Sequence, residues 1–127
     1  MPITGLNHIN FRAHPPLLDA LRDFYCDVVG LTEGPRPPFP RPGYWLYAGG
    51  EPIMHLYEAE VGEIREPDAD GVFDHVAFSC SDPAATEARL KALGVPYRST
   101  GIPGTHLRQI FLQDPAGNRV ELQFSQA

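Results

Sequence analysis

Strict alternation of apolar and polar residues marks the two ends of the chain as strands. Near the N-terminus, Ile9 and Phe11 fall on one side of an extended backbone and His8, Asn10 and Arg12 on the other, which predicts a strand near residues 4 to 12. Near the C-terminus, Val120, Leu122 and Phe124 oppose Arg119, Glu121 and Gln123, within a strand expected at 118 to 124. Between these ends the period changes. Leu17, Leu18, Leu21, Phe24, Tyr25 and Val28 recur at three- and four-residue steps and form one apolar helical face that Gly30 terminates. Five prolines between Pro35 and Pro42 exclude a helix or central strand and predict an ordered loop or irregular edge. Strands near 43 to 48 and 52 to 58 should then pair across Gly49-Gly50.

The same order returns in the second half. A strand is expected near 72 to 79, a helix near 82 to 93 with Asp82 as cap and Pro83 in its first turn, a short strand near 95 to 99, and two longer strands near 107 to 113 and 118 to 124 joined by the turn Asp114-Pro115-Ala116-Gly117-Asn118. Both halves therefore read βαβββ, an α+β pattern. Module 1–60, a polar and acidic linker 61–70 and module 71–127 make up the chain. A half of about 60 residues is marginal alone, so the halves should share a sheet, a core or a partner subunit.

Composition narrows the partners. A net charge of −6 opposes nucleic acid or an anionic membrane surface as the main partner, because both require a concentrated basic face. No apolar run approaches the roughly 20 residues needed to cross a bilayer. Met1-Pro2-Ile3-Thr4 has no basic segment followed by an apolar one, so a cytoplasmic location is expected. Cys26 and Cys80 lack a CxxC spacing and read as buried free thiols.

The candidate chemistry lies in a repeat. Asn7-His8-Ile9-Asn10-Phe11 and Asp74-His75-Val76-Ala77-Phe78 are two versions of one strand, and each is followed by another donor at almost the same distance: His8 to His55 is 47 residues, His75 to Glu121 is 46. Parity places His8, His55, His75 and Glu121 on the polar sides of four strands, as expected for a duplicated module whose halves face one site. Two or three imidazoles and one carboxylate suit one divalent transition metal among Fe, Mn, Co, Ni and Zn, whereas calcium prefers oxygen alone. His14 and His106 lack such a counterpart and are expected in a loop or at a pocket rim.

Leu6-Asn7-His8-Ile9, Phe24-Tyr25 before Val29-Gly30-Leu31, Phe73-Asp74-His75-Val76 and the run from Phe111 to Leu122 resemble the vicinal oxygen chelate superfamily, which includes glyoxalase I, extradiol dioxygenases and bleomycin-resistance proteins. The resemblance spans nearly all the chain. It implies paired βαβββ modules forming an open barrel-like cup around a divalent metal, with His8, His75 and Glu121 matching the ligand positions and His55 on the strand that carries a fourth. It also implies a metal-dependent lyase, isomerase or ring-cleaving dioxygenase acting on a small oxygen-chelating substrate. Glu121, the one carboxylate among the four, is then the candidate acid/base group.

Two departures bear on the reaction. His55 stands where some glyoxalase sites have a second glutamate, and Phe111 occupies the position of the tyrosine usual in extradiol enzymes, leaving Tyr57 or His106 as substitutes. Arg12, Gln109, Phe111 and Arg119 share the site parity and are candidates for substrate binding, Arg12 and Arg119 having ion pairs with acidic residues as the alternative. Trp45, Tyr44 and Phe39 are candidates to roof the cup. A drug- or metabolite-sequestering protein is the contrasting function, and a homodimer is expected in either case.

Overall fold

The computed structural model describes residues 2–66 and 72–125. By internal packing the chain divides into two compact units, Met1–Glu66 and Pro67–Ala127, each with its own four-stranded mixed sheet. The repeated βαβββ pattern is thus realised twice. The two halves do not share a sheet.

In the first unit β1 (Ile9–Ala13) leads into α1 (Pro15–Asp23), where prolines in the opening turn cost no hydrogen bond because those amides would have no helical acceptor. The helix then widens into a π-helical segment, Phe24–Val29, a change of winding that hydrophobic periodicity does not reveal. Gly30 ends it. A three-residue strand β2 (Thr32–Gly34), absent from the sequence expectation, precedes the proline loop, and β3 (Gly43–Ala48) and β4 (Glu51–Glu58) form the expected hairpin. Its two-residue turn holds Gly49 at φ 58° and Gly50 at φ 82°, the consecutive positive angles that glycine adopts without a side-chain clash.

The sheet order is β1-β4-β3-β2, with β1 parallel to β4 and the other pairs antiparallel. Met54, Leu56 and Leu46 on one face are buried beneath Leu18, Leu21 and Tyr25. Each fully buried leucine contributes about 2 kcal/mol by leaving water. This covered face leaves the opposite side to Asn10, Arg12, Trp45, His55 and Tyr57.

The second unit repeats the arrangement with β5 (His75–Cys80), α2 (Pro83–Ala92), β6 (Arg98–Gly101), β7 (Leu107–Gln113) and β8 (Arg119–Ser125), in the order β5-β8-β7-β6. Asp82 caps α2 by accepting from Ala85 N at 3.0 Å. Leu90, Ile110, Leu112, Val120, Leu122 and Phe124 make the buried face. β5 and β6 begin about three residues later than the sequence suggested, while β7 matches its expected span.

Cys26 and Cys80 are free thiols, each half-buried, and burial raises both above the usual thiol range. No helix of the described residues is long and apolar enough to cross a membrane. Of the expected linker 61–70, residues 61 to 66 fall within the first unit, where Glu63 receives both Arg12 and Arg65, and 67–70 lie outside the described residues.

The turn between β7 and β8 sets the position of Glu121. Asp114 is buried and accepts from the amides of Ala116 and Asn118, each at 2.9 Å, and from Asn118 Nδ2 at 3.0 Å. Removing its carboxylate leaves those donors without that acceptor inside the turn. Asp114→Ala should therefore lower unfolding stability by about 1–3 kcal/mol, read from the shift of a denaturant midpoint at unchanged slope.

Candidate functional site

Register places the candidate donors at equivalent points of the two units. Asn10 pairs with His55 across β1 and β4, and Ala77 pairs with Glu121 across β5 and β8. His8 precedes Asn10 by two residues and His75 precedes Ala77 by two, so each histidine lies diagonal to the second donor on the same sheet face. The 47- and 46-residue spacings are the sequence trace of this pairing.

Each repeated histidine is held by the residue before it. His8 Nδ1 lies 2.8 Å from Asn7 Oδ1, and His75 Nδ1 lies 2.6 Å from Asp74 Oδ2. An oxygen acceptor at Nδ1 selects the tautomer whose other nitrogen, Nε2, carries the lone pair, as metal-ligating imidazoles require. Asp74 is itself held below the usual carboxylate range, chiefly by the His75 hydrogen bond and with help from the nearby Arg119 charge. Asn7 and Asp74 are the site residues that reading for metal ligands alone passes over. The signal for them was the repeated Asx-His dipeptide.

In the second unit His75 Nε2 stands 3.3 Å from Glu121 Oε1. Glu121 is only 4% exposed, with Oε2 accepting from Gln123 Nε2 at 3.2 Å. A lone pair on Nε2 and a carboxylate oxygen repel at this separation unless a cation, either a proton or a metal ion, lies between them. The pair therefore fits a divalent metal by donor type and by the orientation that Asp74 imposes. Among the described residues, no three His, Cys, Asp or Glu side chains gather closely enough to hold a metal by themselves.

The first-unit pair has a different geometry. His8 stacks on His55 with ring centroids 3.8 Å apart and planes within 14°, and His55 stacks on Trp45 at 4.1 Å and 7°. Imidazole lone pairs lie in the ring plane, so two rings stacked face to face do not aim at one ion. The His55 Nε2 is 3.1 Å from the Pro52 carbonyl, and burial, with His8 alongside, pushes the imidazole below the usual histidine range. His55 is a neutral platform in this arrangement, while among the described residues no hydrogen bond engages His8 Nε2.

The substrate candidates have different surroundings. Arg12 is engaged by Glu63, at 2.6 Å from Nε and 2.5 Å from Nη2, and lies over the Tyr57 ring. Glu63 also anchors His14 through its carbonyl, at 2.6 Å from Nε2, so both Arg12 and His14 help fasten the end of the first unit. Arg119 lies 4.3 Å from the centre of the Phe111 ring and 3.6 Å from Asp74 Oδ2. Phe111 meets His75 edge-on at 6.5 Å and, with Arg98 and Arg119, lines an open cleft of about 580 Å³. Gln109 pairs with Thr100 and Gln123 on that sheet face but does not line the cleft.

Of the proposed roof, Trp45 and Phe39 line a first-unit cavity together with His8 and His55. Tyr44 does not. It lies on the other face of β3, where its hydroxyl donates to Asp19 at 2.6 Å and its ring meets Arg22, because adjacent strand residues point to opposite sides.

Comparison with known proteins places this geometry in context. The family model described as the Glyoxalase/Bleomycin resistance protein/Dioxygenase superfamily matches residues 5–122. No curated protein matches the chain. Among solved structures, it is similar to lactoylglutathione lyase from Agrobacterium tumefaciens, at 23% identity and TM-score 0.67, over 98% of this chain and 96% of that one. A mutant of the fosfomycin resistance protein FosX from Listeria monocytogenes, complexed with Mn(II) and 1S,2S-dihydroxypropylphosphonic acid, gives 19% identity and TM-score 0.71 over 98% and 95%. TnmS3, an antibiotic binding protein from Streptomyces, gives 22% and 0.68 over 99% of each chain. At these identities the likeness is one of fold.

The Glu63 cluster yields a pH prediction. Hydrogen bonds from Arg12 and then Arg65 hold its carboxyl well below the usual range. A depressed folded-state value stabilises the protein above the unfolded carboxylate range and is lost as pH falls through the folded value. Replacing Glu63 with Gln should therefore reduce the difference in thermal midpoint between about pH 7 and pH 3, measured by circular dichroism.

Proposed function

We propose that this chain, which belongs to the Glyoxalase/Bleomycin resistance protein/Dioxygenase superfamily, is a divalent-metal-dependent enzyme of the glyoxalase/dioxygenase type acting on a small oxygen-chelating compound. The ligands in this reading are His75 and Glu121 within the second unit, while the equivalent His8 within the first rests on the His55 ring. The observation that carries it is the 3.3 Å approach of His75 Nε2 to the buried Glu121 carboxylate, with Asp74 on the opposite ring nitrogen.

When bound, a metal such as Fe, Mn, Co, Ni or Zn supplies Lewis acidity, and for a redox-active ion oxygen chemistry, at vicinal substrate oxygens. The protein's own residues supply orientation and charge. Asp74 fixes the His75 tautomer and Gln123 steadies one Glu121 oxygen. Glu121 Oε1 carries negative charge in a nearly closed position and is the candidate to hold or move a substrate proton. Phe111 supplies an apolar wall, and Arg119 beside it supplies positive charge for an anionic substrate group.

The stack of His8 on His55 favours a second reading, in which the chain sequesters an aromatic drug or metabolite. Metal analysis separates the two. In protein purified without added metal and then loaded, Glu121→Gln should lower metal content at least about tenfold and suppress turnover in a screen of oxygen-chelating substrates, while Phe111→Ala should spare the metal and raise KM. Full metal occupancy and normal turnover in Glu121→Gln would remove Glu121 from both roles.

We also propose a homodimer. Ile3, Leu6, Val61, Ile64 and Phe73 are large apolar side chains, each at least 67% exposed, and covering them offers a second copy a hydrophobic contact. Light scattering at micromolar concentration should give about twice the 14.0 kDa chain mass. A mass of one chain would overturn this assembly.

A further inference from the structure

The first unit contains a cavity of about 330 Å³ whose chemistry the proposed metal ligands do not account for. Its walls include Trp45, Phe39 and Arg36 beside the His8 and His55 rings. Volume near the low end for small-molecule sites selects a compact ligand.

Two features select its type. The first is aromatic: Phe39 and Trp45 stand 6.3 Å apart at 46°, a tilted contact pair at the end of the Trp45-His55-His8 stack, and Phe39 is 47% exposed despite its apolar ring. A planar ring packed against this pair from inside the cavity would lengthen the aromatic wall and cover Phe39. The second is cationic. Arg36 Nη2 donates to the Arg41 carbonyl at 2.9 Å, its Nε is buried with no hydrogen-bond partner, and its guanidinium lies 5.1 Å from the centre of the Phe39 ring. Among the described residues no carboxylate forms an ion pair with Arg36, in contrast to Arg12, Arg22, Arg65 and Arg119.

The guanidinium lies close beside the β3 backbone. Gly43 lies on the same face of β3 as Trp45, and a Cβ there would come within 3.0 Å of Arg36 Nη2, as well as 2.2 Å from the Leu56 carbonyl oxygen. The carbonyl's approach is what requires glycine here, and Arg36 lies alongside, next to the aromatic stack.

We propose that this cavity binds a small aromatic carboxylate, its ring against the Phe39 and Trp45 side chains and its anionic group on Arg36. The assignment goes beyond the functional reading above by adding a ligand site within the first unit, and the binding itself requires no metal. A neutral ring would leave the guanidinium without a counter-charge, and an aliphatic acid would leave the aromatic wall without a stacking partner.

Trp45 is the single tryptophan of the chain, so its fluorescence reports on this cavity alone. Full-length protein stripped with EDTA should be titrated with benzoate, benzamide and cyclohexanecarboxylate, and again after loading with Mn(II). Saturable quenching by benzoate, with both other compounds at least about tenfold weaker, is the expected result. Arg36→Met should abolish the preference for benzoate over benzamide while its near-ultraviolet circular dichroism stays that of the parent. Phe39→Ala, on an exposed loop residue, should weaken benzoate and benzamide alike and serves as the second variant if Arg36→Met unfolds. No saturable quenching by benzoate in either metal state, or equal affinity for all three compounds, would overturn the proposal. Benzoate binding that persists in protein unable to take up Mn(II) supports the cavity assignment and overturns only the metal reading.

Discussion

Parallel pairing of the first and last strands in each unit is the constraint on which the candidate site depends. Strands running in the same direction cannot be joined by a tight turn, so each unit must carry its chain across a helix and two further strands before the pairing closes. That crossover is buried by the helix on one face, which commits the opposite face to polar and aromatic side chains. The side-chain period of two then makes register decisive. A one-residue slip of β8 along β5 would turn Glu121 into the apolar layer and bring Val120 and Leu122 onto the site face. The Asp114 turn, by tying β7 to β8, fixes the register on the other side of β8.

The same register in the two units has been filled with different chemistry. Asn7 and Asp74 both lock the Nδ1 of the following histidine, yet the second donor is a stacked, neutral imidazole in one unit and a buried carboxylate in the other. A carboxylate brings negative charge that draws a cation. An imidazole between Trp45 and His8 brings a flat polarisable surface instead. The duplicated scaffold thus holds equivalent positions constant while its side chains separate into an acidic pair and an aromatic stack.

Arginine follows the same division. Arg12 is neutralised by Glu63 in a cluster that fastens the end of the first unit, and Arg119 leans on Asp74 and Phe111 beside the second-unit donors. Arg36 and Arg41 instead lie on the proline loop and donate to backbone carbonyls. In a chain of net charge −6, Arg36, which has no ion pair with a carboxylate among the described residues, puts positive charge beside Trp45.

Much of this was legible without coordinates. Alternation along short strands assigned His8, His55, His75 and Glu121 to polar faces because strand parity is a local property, and the duplicated spacing exposed the βαβββ repeat because equivalent strands must be separated by equivalent lengths of chain. The Gly49-Gly50 turn and the Asp82 cap were equally local. Contacts between distant segments were not. Only tertiary structure decided that Arg12 meets Glu63, 51 residues away, that Tyr44 packs toward Asp19, and that His55 lies flat between Trp45 and His8. A sequence states which way a side chain leaves its strand; which partner it then reaches, and whether two rings meet edge to edge or face to face, depends on the packing of the folded chain.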